Sequence, residues 1–451
     1  MEIQFIGATG TVTGSKYLLT HQHRKYLVDC GLFQGLKVLR LRNWNPLPFN
    51  SKEIAHVILT HAHIDHSGFL PLLVKEGFSG RIFSTEETNR LCQILLPDAG
   101  HLQEEDALFA NRHKFSKHHP ALPLYTEEDA RESLKFFKSI EWNRLMALEK
   151  DVSFQFLRAG HILGASMIEL HIQGQKILFS GDLGRLHNLM MPPPVTPEAV
   201  DYLILESTYG DRTHPKEDPL STMKEMILRV FGRGGTMLIP AFAVGRAQEI
   251  LYLISRLKKE KSIPDIPVYL NSPMAIEATR VTEEFAHEYS ITLEEIQQMK
   301  SVARFVTSVE ESKRLNELSS PSIIISASGM MTGGRVLHHL KSLAPDPKNM
   351  ILFVGFQSAG TRGEALIKGA DHVKVHGIQI PVRAEIQTME TLSAHADADE
   401  IMAWLGKFSK APKKVFITHG EPLASEALRK RIQEELRWNC HIPDYLEKFT
   451  L

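Results

Sequence analysis

The sequence predicts an α/β protein of more than one domain, and three observations carry that expectation. The first sixty residues read as short apolar strands separated by turn signals. A charged, mostly helical stretch over residues 86–150 is followed by further strands. From about residue 215, helical stretches alternate with short apolar strands, the grammar of a parallel sheet with crossover helices. At 451 residues the chain is also long for one ordinary domain.

Taken in order, EIQFIG, KYLLT, KYLVDCG and HVILT are the first strands, with ATGTVTGS and HQHRK as turns. GATGTVTGS is Gly-rich, but no strand–loop–helix with Lys-Ser or Lys-Thr follows it, so it reads as a tight turn and not a phosphate loop. FLPLLVKEGF reads as a short helix. Strands return at VSFQFLRAG, SMIELHIQG, QKILFSGD and DYLILES. In the next part GTMLIPA, PVYLN, RFVTS, IIISAS and MILFVGF are strands; GRAQEILYLISRLKK and an amphipathic run near 274–288 are helices. SAHADADEIMAWLGKF and KKVFITHGE close the chain, and no internal repeat or flexible linker interrupts it.

Composition narrows the function. Apolar residues make up 43% and charged residues 23%, as in globular proteins. With 52 basic and 53 acidic side chains the net charge is −1, so any nucleic-acid binding must come from local patches or bound metal. Cys30, Cys92 and Cys440 form no CxxC pair, which argues against a thiolate zinc site and a disulfide framework and suits a reducing compartment. The N-terminus has no basic start or apolar core of a signal peptide, and no apolar run nears the ~18 residues of a membrane span. The expectation is a soluble cytoplasmic protein with no membrane partner.

HAHIDHSG, residues 61–68, places His61, His63, Asp65 and His66 within six positions after an apolar strand. Their spacing fits neither one helix face nor one strand face throughout, and predicts a loop whose side chains converge. Asp29, His161, Asp182 and His419 also end apolar runs, where loop edges carry functional groups. Imidazole and carboxylate without thiolate suit zinc, with manganese as second choice. Even with Asp29 set aside, seven ligands oversupply one ion and suit two, ~3.5–4 Å apart and bridged by a carboxylate and a water.

HAHIDHSG, preceded by VDCG and followed by AGHILGAS and SGDLGR, resembles the metallo-β-lactamase superfamily. The resemblance implies an αββα sandwich. It implies that His61, His63 and His161 hold one zinc, that Asp65 and His66 hold the other, and that Asp182 bridges them. It makes Asp29 the residue that hydrogen-bonds the ligand loop. Over nearly its full length the chain resembles the β-CASP ribonucleases, prokaryotic relatives of the pre-mRNA 3′-end cleavage endonuclease. Glu206 in LEST, His395 in SAHAD and His419 in THGE match their three further motifs. AFAVGRAQE, SASGMMTGGR and GFQSAGTRG also resemble family segments.

On this resemblance residues 1–207 begin the metallo-β-lactamase domain, 208–384 form an inserted parallel-sheet α/β (β-CASP) domain, and 385–451 complete the sandwich. His419 would complete the second zinc, and a histidine there implies RNA. His395, paired with Glu206, would stay protonated and donate to the leaving 3′-oxygen. Asp65, His395 and Glu206 are the expected catalytic residues, Asp65 also being a ligand. Ser393, Arg246 and Arg335, with backbone amides at Gly333 and Gly334, are candidates to hold phosphate or RNA. The sixteen other histidines, among them His118, His119, His338 and His339, read as surface residues.

The expected protein is a dizinc ribonuclease of single-stranded RNA. A metal-bridged hydroxide would leave 5′-phosphate and 3′-hydroxyl ends. A thioesterase or lactamase of the same superfamily has no use for so long an insertion; a non-catalytic RNA-binding paralogue would have lost ligands that this chain keeps. Endonuclease or exonuclease mode, RNA target, protein partners and monomer or homodimer stay open.

Overall fold

The computed structural model describes residues 1–451 other than 115, 116 and 319. The chain divides into two compact units. The first comprises Met1–Asn188, Pro192–Thr213 and His395–Leu451; the second comprises Leu189–Met191 and His214–Ala394.

The first unit is built on two seven-stranded sheets. One runs Lys448–Thr450, Glu2–Phe5, Tyr17–His21, Arg24–Val28, Ile54–Ile58, Arg81–Ser84 and Phe137–Ser139 in spatial order. The other runs Cys440–His441, Lys414–Thr418, Tyr202–Glu206, Gln175–Phe179, Ser166–Ile172, Val152–Arg158 and Met146–Glu149. Alternate residues of both turn inward and form one core: Ile3 and Phe5, Tyr17 and Leu19, Phe154 and Phe156, Ile177 and Phe179. Rings meet across it, Phe5 with Phe416 at 5.1 Å and Phe83 with Phe154 at 5.4 Å between centroids. The helix Glu86–His113 contacts the edge strand Phe137–Ser139, and Pro422–Glu435 contacts Lys414–Thr418, so each sheet has a helical layer. This is the αββα sandwich. Glu2 pairs with Thr450 and Ile3 with Phe449, so the last strand closes on the first.

The second unit holds a six-stranded, all-parallel sheet in the order Arg304–Phe305, Val268–Leu270, Ile323–Ser326, Met237–Pro240, Met350–Phe353, Glu385–Thr388. Its central strands are unbroken apolar runs because both faces are covered. Met237, Ile239, Ile323, Ile325, Met350 and Leu352 enter one cluster. Leu238, Ile324, Ile351 and Phe353 enter the other.

Four features differ from the sequence reading. Glu385–Thr388 pairs with Met350–Phe353, so the chain rejoins the sandwich at His395 and not at Glu385. Phe137–Ser139 and Met146–Glu149 are strands inside the stretch read as mostly helical; at three and four residues they are too short for alternation to show. His372–Val375 and Ile378–Pro381 form an unanticipated hairpin. Three of the histidines read as surface residues are buried: His21, His214 and, on the helix Val336–Leu343, His339.

Candidate active site

The strand Ile54–Ile58 runs into Thr60, His61 and His63, and a single helical turn, Ile64–Ser67, then carries Asp65 and His66. The expected loop is thus half loop and half helix. The turn is pressed against Cys30–Leu32: Cys30 N donates to His66 O at 2.7 Å and Leu32 N to Ile64 O at 2.9 Å. Gly31 permits this approach, because a Cβ there would sit 1.6 Å from Asp65 O. Asp29 and His419 each follow a strand with φ of +57° and +49°, left-handed conformations of the kind that gather at functional sites.

Two groups of donor atoms form. In the first, His63 Nδ1 is 3.2 Å from both His61 Nε2 and His161 Nε2, and Asp182 Oδ2 is 3.4 Å from each of the latter two. In the second, His66 Nε2 is 3.1 Å from His419 Nε2 and 3.1 Å from Asp182 Oδ1. Asp65 Oδ2 lies 3.4 Å from His419 Nε2 and 3.8 Å from His66 Nε2. A tetrahedron around zinc at ~2.0–2.1 Å has edges of about 3.3–3.4 Å. The distances of the first group, 3.2–3.4 Å, match that size, and those of the second, 3.1–3.8 Å, scatter around it. Asp182 reaches both groups through different oxygens, Oδ2 toward His61 and His161 and Oδ1 toward His66. Neutral imidazole, carboxylate and no thiolate is a donor set that fits zinc.

Electrostatics agree with that fit. Burial, with the neighbouring imidazoles, lowers His61 to about 3 and holds His161 well below the usual range. Burial likewise lowers His63 to about 4. All three therefore stay in the neutral, ligating form. Burial opposes charge on His66 too, but Asp182 and Asp29 outweigh it and raise His66 well above its usual value, so His66 must release that proton to ligate. Asp182 is held well below the carboxylate range, since the surrounding histidines overcome its burial.

An outer layer fixes the rings. His66 Nδ1 donates to Asp29 Oδ2 at 2.7 Å, and Thr60 N donates to Asp29 Oδ1 at 2.8 Å. His419 Nδ1 lies 3.1 Å from Thr208 Oγ1, whose hydroxyl donates to His419 O. The contacts of Nδ1 with Asp29 in His66 and with Thr208 in His419 place a proton on Nδ1 and leave Nε2 to face the donor group. Neither Thr60 nor Thr208 was singled out from sequence; their signal is position, directly before HAHIDHSG and at the end of LEST. His395 is held differently. Its Nδ1 lies 3.0 and 3.1 Å from the two Glu206 oxygens, and its Nε2 is 3.9 Å from Asp182 Oδ2. Glu206 is buried and also accepts from Leu183 N at 2.5 Å. Burial disfavours charge on His395, yet Glu206 and Asp182 raise it to about 9.

Comparison with known families decides the kinship. Residues 9–228 match the metallo-β-lactamase superfamily, 247–366 the β-CASP domain, and 379–443 the Zn-dependent metallo-hydrolase RNA specificity domain. Ribonuclease TTHA0252 of Thermus thermophilus is 36% identical over 443 residues, 95% of each chain. The chain belongs to the β-CASP ribonuclease family of the metallo-β-lactamase superfamily. As a β-CASP protein it is a metal-dependent hydrolase, a nuclease acting on RNA. Transcription termination factor FttA of Thermococcus kodakarensis is 32% identical over 420 residues, 88% of this chain and 62% of that factor. An RNase J-like protein of Methanocaldococcus jannaschii is 28% identical over 98% of this chain and 97% of its own. A crystal structure of a protein of unknown function from Enterococcus faecalis, 14% identical, shares the fold with a TM-score of 0.54 over 100% of this chain and 99% of that one.

The candidate phosphate-holding residues of this β-CASP protein, Arg246, Gly333, Gly334, Arg335 and Ser393, lie in the second unit. Arg335 is engaged within it, donating to Asn271 Oδ1 at 2.9 Å, Val306 O at 3.1 Å and Thr307 O at 2.7 Å. Arg246 is buried and ion-paired with Glu249. Ser393 is buried, and its N donates to Glu390 O at 3.2 Å. Gly334 has φ of +79°, and a Cβ on Gly333 would meet nothing within 4 Å. An exposed, unpaired arginine is the ordinary picture of a phosphate ligand, and neither arginine matches it.

Proposed function

We propose that this protein hydrolyses single-stranded RNA with two zinc ions, releasing 5′-phosphate and 3′-hydroxyl ends. The observation that carries the reading is the pair of donor groups sharing Asp182, with His395 set beside them on Glu206. His61, His63 and His161 would hold one ion, Asp65, His66 and His419 the other, and Asp182 both. Divalent ions bound there would supply a charge clamp on the scissile phosphate and a water acidified to near neutral pH.

The chain's own residues do the rest. Asp29, Thr60 and Thr208 orient the ligand rings. Glu206 accepts a hydrogen bond from His395 Nδ1–H, so the ring's second proton is carried on Nε2, on the side of Asp182. From there His395 donates its Nε2 proton to the departing 3′-oxygen, and Glu206 compensates its charge. With water as the attacking group the neighbouring 2′-hydroxyl is not consumed, so a single 2′-deoxy substitution at the scissile position leaves the rate within about an order of magnitude. RNA as substrate is supported by the RNA specificity domain match and by the ribonuclease among the relatives. No helix among the described residues is long and apolar enough to cross a membrane.

Mass spectrometry of the cut ends tests the reading. The expected products carry 5′-phosphate. A 2′,3′-cyclic phosphate would show that the substrate's own hydroxyl attacks, and the reading would fall.

A further inference from the structure

Between the strands Arg24–Val28 and Ile54–Ile58 the chain forms a six-residue helix, Lys37–Arg42, that buries none of its residues. Val38 is 63% exposed, Leu41 53% and, just beyond the helix, Trp44 57%. Large apolar side chains gathered in water mark a surface that something covers. The charge of the segment says what. Between Asp29 and Glu53 there is no acidic residue, while Lys37, Arg40, Arg42 and Lys52 are basic, in a chain whose net charge is −1. Among the described residues Lys37 and Arg40 have no ion-pair partner. A second copy docking through the same face would bring like charges together with no acid in the segment to neutralise them. A polyanion with apolar faces suits the patch.

The patch is held firmly. The Asn43 side chain accepts from Phe33 N at 2.9 Å and donates to Phe33 O at 2.8 Å. The Arg42 guanidinium lies 4.2 Å from the Tyr445 ring centroid and 5.4 Å from that of Phe33. Phe33 follows directly on Cys30–Leu32, the segment bonded to the turn that bears Asp65 and His66. An exposed indole, an unpaired lysine and an unpaired arginine are thus fixed to the backbone layer that supports the catalytic loop, all within the first unit.

We propose that Trp44, Lys37 and Arg40 form a platform for single-stranded RNA, on which a base beyond the scissile bond stacks while the cations hold its phosphates. The proposal rests on the reading of RNA as substrate. Base stacking on an aromatic face tolerates any sequence, and the phosphates supply the charge match.

Steady-state cleavage of a long unstructured RNA and of a dinucleotide tests it, in the full-length zinc-loaded protein. Trp44→Ala should raise KM for the long RNA about tenfold, the typical weight of one stacked base. It should leave kcat and dinucleotide turnover unchanged, and Trp44→Phe should restore KM because the aromatic face returns. The double variant Lys37→Gln/Arg40→Gln should reduce the slope of log KM against log salt by about 1.4, from ~0.7 per phosphate on a single strand. Wild-type KM in both variants, in a protein that cuts RNA, would overturn the platform and leave the substrate reading standing. Failure of the wild-type protein to cut RNA would overturn the substrate reading, and the platform with it. A change of oligomeric state in Trp44→Ala at unchanged KM would assign the face to a second copy and also overturn the platform.

Discussion

His395 and His419 sit around the same carboxylate in opposite ways. His419 Nε2 lies 3.1 Å from His66 Nε2 and 3.4 Å from Asp65 Oδ2, inside a donor group. His395 has its Nδ1 on Glu206 at 3.0 Å and its Nε2 3.9 Å from Asp182. His419→Ala should therefore lose one of two bound zinc ions together with activity. His395→Ala should keep both and lose activity by ~10²–10⁴, the usual weight of a general acid. Metal content by atomic emission, measured beside RNA cleavage, separates them. Zinc loss in His395→Ala would make that residue a ligand.

At the scale of elements, the helix Val336–Leu343 is tied to the parallel sheet by a polar network that depends on a neutral histidine. His339 Nδ1 donates to Asn316 Oδ1 at 2.7 Å, so Nε2 is the acceptor for Asn271 Nδ2 at 2.6 Å. Asn271 Oδ1 in turn accepts from Arg335. A proton on Nε2 would face an amide N–H with no acceptor. Burial accordingly lowers His339 to about 4 from the usual 6.5, assisted by His338 and Arg335. Below pH 6.5 the unfolded chain binds this proton and the native state does not, so stability falls as pH drops from 6.5 to 4. The loss reaches up to about 3 kcal/mol at 1.36 kcal/mol per pK unit. His339→Gln should flatten that part of the stability profile in urea unfolding. An unchanged slope would show that His339 is not the group responsible.

On the scale of the whole molecule, each unit has its own core, and the metal-type groups around Asp182 lie wholly in the first. All four tryptophans, Trp44, Trp142, Trp404 and Trp438, also lie in that unit. Tryptophan fluorescence is therefore a selective reporter of the sandwich. Ions that bind the native state alone stabilise it by about 1.4 kcal/mol for each tenfold excess over Kd. A chelator should lower the Tm read by fluorescence by several degrees. Equal midpoints with and without chelator would show that the ions add nothing to the stability of this unit.

The sequence by itself was enough for the fold class, because period-two strands, a βα-alternating segment and apolar runs ending in His or Asp are local patterns. It also singled out His61, His63, Asp65, His66, His161, Asp182 and His419, since polar residues that end apolar runs stand at loop edges, where functional groups are carried. Only the tertiary structure decided what those residues meet. That Asp182 faces two groups at once, that Glu206 takes Nδ1 of His395 across 189 positions, and that Thr208 turns His419 across 211 are distances between strands far apart in the chain. The same holds for His339, which reads as a surface group until packing closes over it, and for Arg335, a candidate phosphate ligand that backbone carbonyls engage. Local pattern fixes which face a side chain takes; its partners are set by how strands distant in sequence align, and no short stretch encodes that alignment.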